Sequence, residues 1–465
     1  MRKSHDISAA RMGTAPVGPL LLSCSVPMMI SMLVQALYNV VDSIFVSHIN
    51  EAALSAVSLA FPLQNLMIAF AVGTGVGVNA HLSRSLGEGN QAESNRAAAN
   101  GIVLSICTAV VFILFGLFGV RPFMESQTSD PLILKYGVDY LTVCCVWGLG
   151  LFVQCMLEKI LAATGRTSFA MFSQLIGAVI NIIFDPIFIF GLFGAPRMDA
   201  AGAAIATVMG QWIGACCGIV MNLVWNKDVQ FHLKNFRPSR RTVARIYTVG
   251  VPSIALSAIG SVMTFLMNSI LIAFSSTAVA VFGVYFKLQS FVLMPVFGLN
   301  NGMVPIVSYN YGAHKPERII KVFKLAGITA TCITFIGFLL AQCIPGLLLS
   351  VFNASDDMLA MGAMALRIIS IHFILAGLDI VMTATFQALG KGLMALCASL
   401  IRQLVVLIPV AWLLSLSGNV NMVWWSFPIA ELFSLTVCTI FTIKIYREIL
   451  KPMMNAPKAA EAVAV

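Results

Sequence analysis

Apolar tracts of twenty or more residues recur along the chain, separated by short polar segments, and their apolar character is continuous rather than alternating. A helix needs about 20 such residues to cross a hydrocarbon layer of roughly 30 Å. Strands of a membrane barrel would instead alternate polar and apolar positions over about ten residues. Ile102–Gly119 is unbroken, so helices are expected. The pattern predicts twelve membrane-spanning helices, at 20–47, 53–81, 97–119, 137–157, 168–193, 201–226, 246–275, 278–308, 322–346, 364–386, 392–416 and 421–443.

The chain also repeats itself at a spacing of 225 residues. Leu63, Gln64, Gly73, Gly77, Ser83 and Gly87 match Leu288, Gln289, Gly298, Gly302, Ser308 and Gly312. Pro27 matches Pro252, and Ala163, Gly165, Ala170, Leu175 and Ile176 match Ala388, Gly390, Ala395, Leu400 and Ile401. Six spans per repeat is an even number, so both halves enter the membrane in the same orientation and form parallel repeats about an axis along the membrane normal. The expected fold is an all-α polytopic membrane protein of two six-helix repeats. It divides into a cytoplasmic tail 1–19, a lobe 20–226, a basic linker 227–245, a lobe 246–443 and a cytoplasmic tail 444–465.

Composition agrees with this picture, at 59% hydrophobic and 10% charged residues. Charge adds an orientation. Under the positive-inside rule the basic segments are cytoplasmic, and the opposite-side loops hold only Arg121, Lys135 and Arg197. The densest basic stretch is 227–245, with Lys227, Lys234, Arg237, Arg240, Arg241 and Arg245 against Asp228. Both termini are therefore placed in the cytoplasm. The net charge of +9 follows from this bias and does not call for nucleic acid. Eleven cysteines fall mostly within spans, and the adjacent pairs Cys144–Cys145 and Cys216–Cys217 suit neither a disulfide nor a tetrahedral metal site. With no phosphate loop and no HExxH motif, an enzyme, a cofactor or an ATPase subunit is not expected.

The candidate chemistry lies in polar residues inside the spans. A carboxylate in hydrocarbon costs several kcal/mol unless it faces a cavity, a partner or an ion. Asp42 sits in the first span and Asp185 in the fifth. Gln35, Tyr38 and Asp42 form one stripe of the first helix, with Asn39 beside them, and Asn181 and Asp185 share a face of the fifth. Pro186 withdraws a backbone hydrogen bond next to Asp185, so a bend is expected there. Tyr140 and Thr207 add hydroxyls from the fourth and sixth helices. Asp42 and Asp185 can hold and release a proton; alternatively, oxygens from Asp42, Asn181 and Asp185 suit Na⁺. After a one-residue slip the repeat sets Asn268 opposite Asp42, and Asp185 meets Val410, so the acids belong to the first lobe. In the second lobe, Lys287 near the middle of the eighth span is expected in the bundle interior as a pathway residue or an acid's partner. Arg402 and Glu431 are placed to pair. Glu158 and Asp379 have no assigned role.

At these residues the sequence resembles the multidrug and toxic compound extrusion family over roughly 20–445, and within it the bacterial DinF-like branch. The carriers are SVPMMISMLVQALYNVVDSIFVSHI at 25–49, LAATG at 161–165, INIIFDPIFIFGLFG at 180–194, YFKLQSFVLMPVFGLNNGMVPIVSYNYGAHKPERI at 285–319 and TATFQALGKG at 383–392. The resemblance implies export of organic cations in exchange for H⁺ or Na⁺, across the bacterial cytoplasmic (inner) membrane. It implies a first-lobe cation site at Asp42, Asn181 and Asp185, with Tyr38 and Tyr140 nearby and Thr207 as a further candidate. Another branch of that family carries an acid on the seventh helix, whereas 246–275 here holds none. Abundant Phe and Met would line a cavity for amphipathic small organic cations. The expected particle is a monomer among membrane lipids. The alternative is a flippase for lipid-linked sugars or other anionic lipids, which would need a basic central cavity.

Overall fold

The computed structural model describes residues 9–230, 238–352 and 356–455. Lys234 and Arg237 of the basic loop lie outside these residues. All regular structure among the described residues is helical. Twelve long elements run in chain order as α1 (Val17–Ser47), α2 (Glu51–Gly87), α3 (Gln91–Phe118), α4 (Pro131–Val146 and Leu149–Ala163), α5 (Thr167–Phe190) and α6 (Asp199–Val224). They continue as α7 (Arg240–Leu271), α8 (Ser276–Gly312), α9 (Pro316–Cys343), α10 (Asp356–Ala388), α11 (Gly392–Ser415) and α12 (Val420–Asn455). Eleven are each long and apolar enough to cross a membrane, and α4, bent by 47° at Trp147–Gly148, supplies the twelfth.

Local chemistry at the helix ends repeats with the sequence. The Asn50 side chain caps α2 by accepting from Ala53 N at 2.8 Å, and Ser275, 225 residues later, caps α8 by accepting from Ala278 N at 3.0 Å. After α4 and α10 the chain turns through Gly165 (φ 78°) and Gly390 (φ 76°), a left-handed conformation that costs glycine little. Inside each half, Ser83 donates to the Ala163 carbonyl at 2.9 Å and Ser308 to the Ala388 carbonyl at 2.7 Å.

The two halves meet through the same residues used twice. A Cβ on Gly73 would strike Ile254, and one on Gly298 would strike Met29. Gly87 lies against the Tyr309 carbonyl, and Gly312 against the Arg84 carbonyl. Each pair is related to its mate by the 225-residue offset. Without a hydrophobic driving force between helices in lipid, such small residues let backbones approach and collect dispersion contacts. These contacts lie toward the end of the bundle that carries the basic loops. At that end the N-terminal segment bridges the halves. Ala9 N donates to Asp228 at 3.0 Å, while Arg318 donates to the carbonyls of Met12 (3.1 Å) and Ala15 (2.6 Å). Asp228 also pairs with the buried Arg166.

Helix α5 contains Pro186 and runs on to Phe190. One boundary differs from the sequence reading. The fourth helix ends at Ala163 rather than 157, which draws Glu158 and Lys159 into the bundle.

Candidate functional site

Helices α5 and α6 are antiparallel neighbours joined by a ladder one turn per rung. Ser173 Oγ donates to the Gly214 carbonyl at 2.8 Å. One turn on, a Cβ at Gly177 would sit 3.0 Å from the Gly210 carbonyl oxygen, so glycine at both positions sets the spacing. The next rung is Asn181 with Thr207. Asn181 and Thr207 are buried, and Asp185, a turn further, is fully buried. Oriented to satisfy its surroundings, the Asn181 amide donates to Asp185 Oδ2 at 3.1 Å and accepts from the Thr207 hydroxyl and amide N–H, each at 3.1 Å.

Helix α1 closes the other side. Asp42 faces Asp185 within hydrogen-bonding reach, and its Oδ1 is buried with no hydrogen-bond partner among the described residues. Two carboxylates hold no donor between them, so a hydrogen bond linking them requires one proton on the pair. Tyr38 lies beside both acids, and Tyr140 lies near Asp42 and Tyr38. The Tyr140 hydroxyl accepts from Gln64 Nε2 at 2.8 Å. Gln35 is a turn below Tyr38 and accepts from Gln174 at 3.2 Å. Asn39 is exposed.

A cavity of about 180 Å³ opens beneath this cluster. Tyr38, Asn181, Thr207 and Gln35 line its upper part; Met28, Glu158, Lys159 and Asn301 lie lower. Glu158 was named from the sequence without a role, whereas Gln154, Lys159, Gln174, Gln211 and Asn301 were not singled out. The amides carried little signal, since a neutral polar side chain in an apolar tract lacks the cost that marks a buried charge; Lys159 fell beyond the expected end of the fourth span.

The remaining candidates fall elsewhere. Lys287 is exposed, with its ammonium 5.9 Å from the Phe352 ring, instead of in the bundle interior. Helix α8 begins at Ser276, so this lysine stands about three turns in and its stem can carry the charge outward. Asn268 lies in the second half with Oδ1 buried and unpartnered among the described residues. Arg402 pairs with Glu431 at 3.6 Å, and also with Asp379 at 3.2 Å. It sits in a π-helical stretch, Ile401–Leu407. Ser434 donates to Asp379 at 3.0 Å, and His372 lies 3.5 Å from Glu431 and 2.8 Å from the Tyr285 hydroxyl. The second half thus holds its own ion cluster, in which one arginine faces two acids.

Comparison with known proteins agrees with this architecture. The family model described as MatE matches residues 27–187 and again 252–413, two copies displaced by the internal repeat. The multidrug export protein MepA of Staphylococcus haemolyticus is 28% identical over 422 residues, covering 89% of this chain and 90% of that protein. An FAD transporter of Shewanella oneidensis is 24% identical over 430 residues, covering 91% and 94%. Among solved structures, an outward-facing conformation of a multidrug resistance MATE family transporter of the MOP superfamily superposes with a TM-score of 0.90. It is 24% identical and covers 97% of this chain and all of that one. A Pyrococcus furiosus MOP superfamily transporter, described as having a binding pocket of reverse polarity, gives 0.89 at the same identity and coverage. More than half of the chain falls within the family match, and the chain belongs to the MatE family of multi-pass secondary transporters, which are not enzymes.

Proposed function

We propose that the protein is an antiporter that exports amphipathic organic cations by alternating access, driven by protons returning through the first lobe. The observation that carries this reading is the facing pair Asp42 and Asp185, held by Asn181 and Thr207 above a cavity. One proton on the pair leaves a single negative charge. A bound cation and a second proton then compete for the same electrostatic site, which is the elementary requirement of exchange. Na⁺ is the competing occupant, since carboxylate, amide and hydroxyl oxygens suit a hard cation; two neighbouring carboxylates held away from water favour keeping a proton, which supports H⁺.

Several features support the rest of the reading. The lobes 20–226 and 246–443, joined by the linker 227–245, would rock about the shared glycine contacts. The basic end is taken as cytoplasmic, with both termini there, in a bacterial inner membrane. The contacts seal that end, so the state is read as outward-facing. The chain would work as a monomer without an ATPase subunit. A lipid-sugar flippase would want several strong basic residues free in the cavity, but Lys159 is the single basic residue among those lining it, beside the acid Glu158, and Arg402 is tied to two acids. The test is uptake of a fluorescent cation into energised inverted vesicles. Asp42→Asn and Asp185→Asn should each abolish it at unchanged expression; wild-type uptake in both would overturn the assignment.

A further inference from the structure

Lys159 stands at the floor of the cavity, apart from the acid pair above. It is buried, its stem packs against Gly75, and its Nζ donates to Asn301 Oδ1 at 2.9 Å. Lys159 belongs to α4 in the first half and Asn301 to α8 in the second, so this hydrogen bond crosses between the halves. Asn301 lies next to Gly302, where α8 meets Ser25 of α1. The repeat places Ala384 and Val76 at the equivalent positions, so the bridge has no symmetry mate. Its neighbour Glu158 lines the same cavity, and one Glu158 oxygen accepts from Gln154 at 3.0 Å.

An ammonium carries three donors. Here a neutral amide oxygen takes one, and no carboxylate lies within ion-pair distance among the described residues. The other two donors remain for whatever fills the cavity. An ammonium removed from water is costly unless it meets acceptors or an opposite charge. A bare monocation entering this floor would meet repulsion from Lys159. A molecule with both a cationic group and an acceptor would meet Glu158 or the upper acids with one and Lys159 with the other.

We infer that Lys159 is a binding subsite for a carboxylate or carbonyl acceptor on an amphoteric substrate, and that this acceptor draws the ammonium away from Asn301. Loading the cavity would then loosen the polar bridge between the halves at the sealed floor. The inference rests on the cation-transport reading and narrows its substrate class.

The test is dye binding to the purified full-length chain, read by fluorescence polarisation, with a cationic rhodamine ester and its free-acid parent. The two differ only at the carboxylate. Lys159→Gln keeps a donor for Asn301 but removes the charge, and should weaken the free acid about tenfold or more, with the ester shifting far less or tightening. Asn301→Leu keeps the ammonium and should preserve the preference for the acid. Equal shifts for both dyes in Lys159→Gln, or no shift in either, would overturn the subsite. Loss of the acid preference in Asn301→Leu would do the same. A wild type that binds neither dye would instead sink the cation-transport reading, and this inference with it.

Discussion

Asp42 and Asp185 carry opposite demands, since each is held away from bulk water and neither has an arginine or lysine to answer it among the described residues. The second half shows the contrast, with Asp379 and Glu431 both answered by Arg402. Uncompensated acids respond to protons and bound cations; compensated ones hold helices together. If a proton and the substrate compete for the first pair, cation affinity must rise with pH. Protonation opposes cation binding, so the dissociation constant should fall by up to about tenfold per pH unit while the pair releases its proton. Asp42→Asn should flatten that slope, measured by dye binding across a pH series. Both acids were legible in the sequence, because a charge in a hydrocarbon-length tract has few structural uses. Lys159 was not, because a sequence boundary placed it beyond the end of the fourth span.

At the level of elements, the site depends on how closely α5 and α6 approach. Gly177 and Gly210 set that distance one turn below Asn181 and Thr207. Gly210→Val should force the helices apart, cost about 1–3 kcal/mol of packing and reduce transport about tenfold or more. Thermal unfolding in detergent and vesicle uptake check the two parts separately; transport at the wild-type rate would show that the ladder does not hold the site. The hydrophobic pattern located all twelve helices, since the length of the hydrocarbon layer dictates tract length. The bend in α4 at Trp147–Gly148 was not visible, because no proline marks it and apolar character continues across it.

The whole molecule is organised by its repeat, and the seal at the basic end is made of the positions that revealed it. Gly87 and Gly312 admit the Tyr309 and Arg84 carbonyls only because they lack a Cβ. Gly312→Val should prevent that closure and expose the basic end. A cysteine introduced at Thr248, beside the pocket lined by His81 and Arg245, should then label faster with a water-soluble maleimide. An unchanged labelling rate would contradict the seal. The driving ion is settled by one measurement. Purified protein is reconstituted in liposomes, and uptake of a fluorescent cation is followed under an imposed pH gradient in sodium-free buffer, beside the Asp42→Asn, Asp185→Asn double variant. Proton coupling through the acid pair predicts uptake by the wild type without sodium and none by the variant. Wild-type uptake that vanishes without Na⁺ while the pH gradient stands, or uptake by the variant equal to the wild type, would contradict it.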